Sequence, residues 1–357
     1  MRAWTTWAVA AALVCGSAHG QFRVPGITPA DAASFEASRD AEAVTLAGAD
    51  SWARIETQQP DEAETLARFH WPAGAFPVTL REAPGREWDR EVAFASPRPM
   101  GDAAVDRVTL RWYRPEAKPE SAPPQLPGVL VVHSLHPDLP VATLLARGLR
   151  ARGVHAFVIE LPGYAGRKPA ASRMNGVTAL VRAPQAVADI RRARDAIAAL
   201  AASPDARLDA ERIAVQGTSL GSFFAAAAAA LDGGFDHTFL LLSGGDGVEV
   251  LERGEKDAHA LRGALRHYGY RGAALRDLID PIEPLRLAHR LDPDTTWMFN
   301  ARDDVVIPPA NARKLADAVG LDPSHHLWLA GNHYTSFLLL PGVLHTMCDT
   351  LDDTPPE

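Results

Sequence analysis

The sequence predicts an α/β protein built on a parallel sheet covered by helices on both faces. Three observations predict it. From Gly128 onward, short β-branched runs alternate with helical stretches to the end of the chain, the pattern of strands joined by crossover helices. The runs GVLVVH (128–133) and VHAFVIE (154–160) are continuously apolar, as strands buried on both faces are. Finally, 357 residues with 47% hydrophobic content are ample for one large core without disulfides.

The first residues read as an export signal. Arg2 is followed by an apolar run from about Ala8 to Val14 and then by Gly16, Ser17, Ala18 and Gly20. That order of charge, short apolar stretch and small-residue exit describes a cleavable secretory signal over residues 1–20, with cleavage before Gln21. The run is too short to span a bilayer, which takes roughly 20 apolar residues, and no later run approaches that length. The expected location is therefore periplasmic or extracellular, without stable membrane insertion. Loss of Cys15 with the signal leaves Cys348 alone, so no internal disulfide is expected. A net charge of −8 argues against nucleic acid as a partner.

Residues 21–124 form an N-terminal extension leading into the first strands. Its part from about Asp31 to Phe69 is rich in Ala, Glu, Asp and Arg and predicts a helical, surface-lying segment. Strands follow at Phe76–Arg81, Trp88–Ala95 and Val105–Tyr113, the last with the polar–apolar alternation of a half-buried strand. The aromatic residues of this region are expected to be buried. Pro115 to Pro127 reads as a loop.

Residues 125–357 form the expected core. Helices are predicted at Thr143–Arg152, Ala183–Ala202, Leu220–Leu231 and Pro309–Val319, and from Thr335 onward. Strands are predicted at Arg212–Gly217, in HTFLLLSG (237–244), at Thr295–Asn300 and at His325–Ala330. The Ala run 225–230 suits a helix lying close against a sheet. Residues 247–290 read as mostly helical, a candidate lid, with a solvated charged face around Glu249 to Asp257. Asp280 and Glu283 are expected to serve local turn and cap chemistry.

The chemistry concentrates in Gly217-Thr218-Ser219-Leu220-Gly221 between a strand and a helix. Such a turn holds a serine in strained backbone geometry with its oxygen exposed, and glycines two residues to either side avoid collision with the turn. A serine hydroxyl needs a base to take its proton and a third group to orient that base. The carboxylates Asp303 and Asp304 follow one buried strand, and His333 in Gly331-Asn332-His333-Tyr334 follows the next. Both lie at the carboxyl ends of strands, where parallel sheets gather their chemistry. The amide of Leu220, next after the serine, is a natural donor to a developing oxyanion.

Together, GTSLG, DDVVIPP and GNHY resemble the α/β-hydrolase superfamily, with further similarity in HSLH (133–136) and ELPGYAGR (160–167). The resemblance covers Gly128 to about Cys348. It implies a doubly wound, mostly parallel sheet of about eight strands, with Ser219, Asp304 and His333 as a triad. In the family pattern the acid stands four residues before the proline that opens the next helix, which selects Asp304. It also implies Leu135 as the second oxyanion donor beside Leu220. The activity implied is hydrolysis of a carboxylic ester of a small molecule or polymer through an acyl-enzyme. A serine peptidase or acyltransferase on the same scaffold, and a non-catalytic binding protein of this fold, are the alternatives. No cofactor is implied, since nucleophile, base and donors are all protein groups. Metal catalysis fits poorly, because adjacent His325 and His326 on a strand face opposite ways and His133 and His136 lack the usual paired spacing. Whether His136 lines the mouth of the site or only faces solvent stays open, as do the substrate and the oligomeric state.

Overall fold

The computed structural model describes residues 43–52, 57, 59, 62–115, 125–169, 175–203 and 206–353. The export-signal reading of residues 1–20, and residues 116–124 of the Pro-rich loop, lie outside the described residues.

The N-terminal part contributes β1 (Val44–Ala49), α1 (Glu62–Ala67), β2 (Ala75–Glu82), β3 (Arg90–Ala95), α2 (Ala103–Asp106) and β4 (Arg107–Tyr113). The core continues with β5 (Leu126–Val132), α3 (Pro140–Arg150), β6 (His155–Ile159), α4 (Asn175–Val181), α5 (Ala183–Leu200), β7 (Leu208–Thr218), α6 (Leu220–Ala229) and β8 (Thr238–Leu241). After it come α7 (Gly247–Arg253), α8 (Asp257–His267), α9 (Ala273–Ile279), β9 (Thr296–Ala301), α10 (Pro309–Val319), β10 (His326–Leu329) and α11 (Leu340–Asp353).

Among the described residues, the strands form one ten-stranded sheet in the order β1-β2-β3-β4-β6-β5-β7-β8-β9-β10. The pairs from β1 to β4, and β4 with β6, are antiparallel; all pairs from β6 to β10 are parallel. The chain leaves β5 to form β6 on one side and returns to form β7 on the other. The crevice at the carboxyl ends of these strands is thus a topological switch point, where such sheets bind ligands. This is the α/β-hydrolase fold, with two strands more than the expected eight.

Of the segment expected to be helical and surface-lying, Glu62–Ala67 is helical, but Val44–Ala49 is a surface strand and not a helix. Val44–Ala49 is the edge strand, paired with β2 from Val44 opposite Leu80 to Ala49 opposite Ala75. Its helix-favouring surroundings carry less weight than the open hydrogen-bonding edge of β2, a tertiary effect that local composition does not report. Leu66, Phe69 and Trp71 are buried, and Trp52 stacks on Trp71 with ring centroids 4.2 Å apart. The expected burial of aromatics holds here and at Trp112, which has no exposed surface.

The same segment covers α5, whose Asp189, Arg191, Arg192 and Asp195 are buried. Arg192 pairs with Asp50 at 2.6 Å, and Asp195 accepts from Ser51 N at 2.9 Å and Ser51 Oγ at 2.6 Å. On α6, Ala225 to Ala229 are buried as expected, letting the helix lie close to the sheet. Among the described residues, no helix is long and apolar enough to cross a membrane.

Candidate active site

Strand β7 ends at Thr218 and α6 begins at Leu220, so Ser219 is the single residue between them. It takes φ 53° and ψ −120°, a conformation costing a non-glycine residue roughly 1–3 kcal/mol unless its surroundings enforce it. They do. Ser219 N donates to Leu241 O at 2.9 Å, and Ser219 O accepts from Ser222 N at 2.9 Å and Ser222 Oγ at 2.6 Å. A Cβ on Gly217 would lie 2.6 Å from Gly221 O, and one on Gly221 would lie 2.4 Å from both Val132 O and His133 O. Glycine at 221 lets the first turn of α6 press against the end of β5, next to the loop that starts at His133.

His333 stands in the loop after β10. Gly331 there has φ 91°, and a Cβ on it would meet Thr335 Oγ1 at 2.4 Å. Asn332 Oδ1 accepts from Tyr334 N at 3.0 Å and Thr335 N at 3.2 Å, while Thr335 Oγ1 accepts from Asn332 N at 2.9 Å. These reciprocal bonds close the loop around the histidine. Its Nε2 is 3.0 Å from Ser219 Oγ, and its Nδ1 is 2.7 Å from Asp304 Oδ2. Asp304 Oδ1 accepts from Val306 N at 2.8 Å and Ile307 N at 3.0 Å. Asp304 and His333 are both 4% exposed. Since an ionised carboxylate only accepts, Nδ1 carries the proton and Nε2 is left to accept from the serine. Asp303 is exposed, and its N–H donates to Gly331 O at 3.0 Å, lacing the two loops together. The structure thus brings Ser219, His333 and Asp304 together and leaves Asp303 outside.

The loop 133–136 is anchored from both ends. His133 Nδ1 donates to Ser134 O at 2.7 Å, and His133 Nε2 accepts from Leu161 N at 3.1 Å. Burial drives its pKa down to about 4, which keeps the ring neutral for both roles. Tyr164 Oη donates to Leu135 O at 3.0 Å. Leu135 and Leu220 line the same pocket as Ser219. Leu220 opens α6, and the first amides of a helix have no intrahelical acceptor. His136 is exposed, does not line this pocket, and accepts from Asp138 N at 3.3 Å. His325 and His326 reach different partners, Pro293 O at 3.0 Å and Asn300 Oδ1 at 3.2 Å. Among the described residues, no group of three His, Cys, Asp or Glu could hold a metal.

Helices α7, α8 and α9 occupy the segment read as a lid and wall the pocket with their apolar faces. Glu283 caps α7, accepting from Asp246 N at 2.9 Å and Gly247 N at 2.6 Å, and burial pushes its carboxyl above the ordinary range. Asp280 pairs with Arg68 at 3.1 Å and with Arg286. Glu283 also accepts from Leu285 N at 3.1 Å, so the expected turn and cap chemistry holds for it, whereas Asp280 acts through ion pairs, one to the distant Arg68. Glu249 is less free than a solvated face implies, since Lys314 Nζ lies 2.5 Å from it and Asn311 Nδ2 3.1 Å.

His133, Tyr164, Asn332 and Thr335, which lie in or beside the HSLH, ELPGYAGR and GNHY motifs, hold the site without being among its expected residues. Asn332 with Thr335 three positions on was a readable signal, because Asx and ST side chains cap such turns. His133 and Tyr164 act across 28 and 29 residues of chain, and nothing local announces that.

Sheet order and the strand–turn–helix position of Ser219 define the α/β-hydrolase fold. No family model matches the sequence, and no curated protein does. Among solved structures, the chain is similar to an acetyl xylan esterase from Paenibacillus sp. R4, with TM-score 0.55 and 16% identity, over 86% of this chain and 97% of that one. It is also similar to a puromycin-hydrolyzing peptidase of Mycobacterium tuberculosis, with TM-score 0.52 and 16% identity, over 80% of this chain. The chain spans about half the length of that peptidase, 47%. At such identities the likeness is one of fold.

Proposed function

We propose that the protein is an exported serine hydrolase that cleaves a carboxylic ester through an acyl-enzyme. Ser219 Oγ attacks the ester carbonyl while His333 Nε2 takes its proton, and the amides of Leu220 and Leu135 meet the oxyanion. His333 then returns the proton to the leaving alcohol, and water, activated by the same imidazole, releases the acid. Asp304 holds the imidazole in the required tautomer and offsets its charge. The single observation carrying this reading is the unbroken hydrogen-bond chain from Ser219 through His333 to Asp304, 3.0 Å and 2.7 Å, at a strained elbow. All participating groups belong to the chain, so the chemistry calls for no cofactor.

The test is labelling by a fluorophosphonate probe together with turnover of p-nitrophenyl esters beside peptide substrates. Wild type should label at Ser219 and prefer esters; Ser219→Ala should lose both labelling and turnover, by several orders of magnitude, while keeping its fold. Labelling of the alanine variant at undiminished rate rejects the nucleophile. Faster turnover of peptides than of esters favours the peptidase reading, which the likeness to the puromycin-hydrolyzing peptidase keeps in view. Export is checked by N-terminal sequencing of protein from its native host, which should begin at or near Gln21.

A further inference from the structure

We propose that the pocket reaching from Ser219 under α7, α8 and α9 is a binding subsite for the acyl part of the ester, taking an uncharged, apolar acyl group of about four to six carbons. This rests on the ester-hydrolase reading above.

The first support is chemistry of the wall. Of the fifteen residues lining the pocket, only Ser219 and Asp257 carry polar side chains. The rest of the surface comes from Leu180, Phe223, Val250, Leu261, Ile279, Ile282 and similar side chains. No Lys, Arg or His is among the lining residues. An acyl chain ending in a carboxylate would find no counter-charge there and would meet Asp257, which is exposed at the start of α8. An unpaired charge or hydroxyl pushed past it would lose its water without gaining a partner.

Size is the second support. The cavity measures about 60 Å³. A water-sized group takes roughly 10–15 Å³ of such space, so about four to six methylene-sized groups fill it. An acetyl group leaves most of the apolar wall uncovered, and a chain of eight or more carbons extends beyond the enclosed space and gains no further wall.

Position decides which half of the ester enters. The leaving oxygen must reach His333 Nε2 to receive its proton. His333 does not line the pocket, whereas Leu135 and Leu220, whose amides face the oxyanion in the reading above, do. Leu135 and Leu220 lining the pocket beside Ser219 put the ester carbonyl at its mouth, from which the acyl chain runs inward along Phe223, Val250 and Leu261 while the alcohol oxygen stays beside His333. Gly247 belongs to the same wall, since a Cβ there would meet Ile279 at 2.9 Å and Phe223 at 3.4 Å. α7, α9 and α6 thus pack closely together where Gly247 lines the pocket.

The experiment is a p-nitrophenyl ester series from acetyl to dodecanoyl, with a succinyl half-ester, measured as kcat/KM. For wild type the value should rise roughly fourfold per added methylene from acetyl, peak at about four to six carbons, gain nothing further beyond about eight, and be low for the succinyl half-ester. Two variants act in opposite directions. Leu261→Ala should lengthen the preferred chain by about two carbons, and Val250→Phe should lower the pentanoyl-to-acetyl ratio at least about tenfold, as loss of one or two buried methylenes does. Thermal melting establishes that each variant is folded, and either one alone carries the test. Labelling of Ser219 with a flat profile, an acetyl optimum, or variants that leave the ratio unmoved overturns the subsite and leaves the hydrolase standing. No labelling by any phosphonate and no ester turnover overturns both.

Discussion

Replacing Asp304 by Asn keeps an oxygen for the amides of Val306 and Ile307 but turns an N–H toward His333 Nδ1. That nitrogen must then accept, so the ring proton moves to Nε2, which faces Ser219 and can no longer take its proton. The geometry survives while the tautomer is wrong, and kcat should fall by up to about 10⁴. Asp303→Asn changes an exposed side chain and leaves in place the backbone bond from Asp303 N to Gly331 O. It should keep kcat within a few-fold of wild type. The check is the ratio of the two kcat values on one activated ester, with melting curves for both; a crippled Asp303 variant moves the acid by one residue. Adjacency in the sequence left the pair open to bottom-up reading, and the family pattern selected Asp304. The physical basis is visible only in three dimensions: Asp304 is turned into the loop, held by two amides, and Asp303 faces water.

Elements whose identity depends on local pattern were readable, and those decided by distant partners were not. α10 spans Pro309–Val319, as its proline start and periodicity predict. The buried strands β5 and β6 fall within a residue or two of expectation, since continuous β-branched runs between turn signals have few other uses. The Ser219 elbow was legible because its strand, glycines and helix are contiguous. β1 was not, because a six-residue edge strand owes its form to β2, about thirty residues away. α5 was readable as a helix, but the burial of its charged side depends on segments distant in the sequence. That side carries a buried junction. Arg167, 1% exposed, donates from Nη2 to Asp189 Oδ2 at 2.6 Å, from Nη1 to Glu160 O at 2.9 Å and from Nε to Val105 O at 2.9 Å. One side chain thereby joins α5, the end of β6 and α2. Arg167→Met should cost about 3–5 kcal/mol, because it strands a buried carboxylate. Adding Asp189→Leu should recover a large part of that loss, since both charges are then gone. Urea denaturation of the two singles and the double measures the coupling. A double variant as unstable as the sum of the singles shows that the pair is not acting as a unit.

Across the whole molecule, the antiparallel N-terminal strands and the parallel core share one interior, and buried neutral histidines sit along their junction. His155 on β6 accepts from Trp112 Nε1 of β4 at 3.2 Å, and His133 follows β5 directly, accepting from Leu161 N beyond β6. Both are nearly inaccessible, at 2% and 1% exposure, and burial is the main cause that lowers each pKa to about 4. An unfolded histidine titrates near 6.5. Between these values the unfolded chain binds a proton that the folded chain refuses, so stability increases with pH there. Their contribution is complete above about pH 6.5 and is lost as pH falls toward about 4. By pH 5 each should have lost on the order of 2 kcal/mol. Asp189 and Glu283 have raised pKa values through burial and act with the opposite sign, losing stability as pH rises. Wild-type curves therefore sum both kinds of group, and a substitution is needed to separate them. His155→Gln retains an acceptor for Trp112 but cannot titrate. Its urea midpoint should fall less than that of wild type between pH 7.5 and pH 5, even if it starts lower. Parallel midpoint curves for the two proteins would mean that the acid sensitivity of the fold lies elsewhere than in His155.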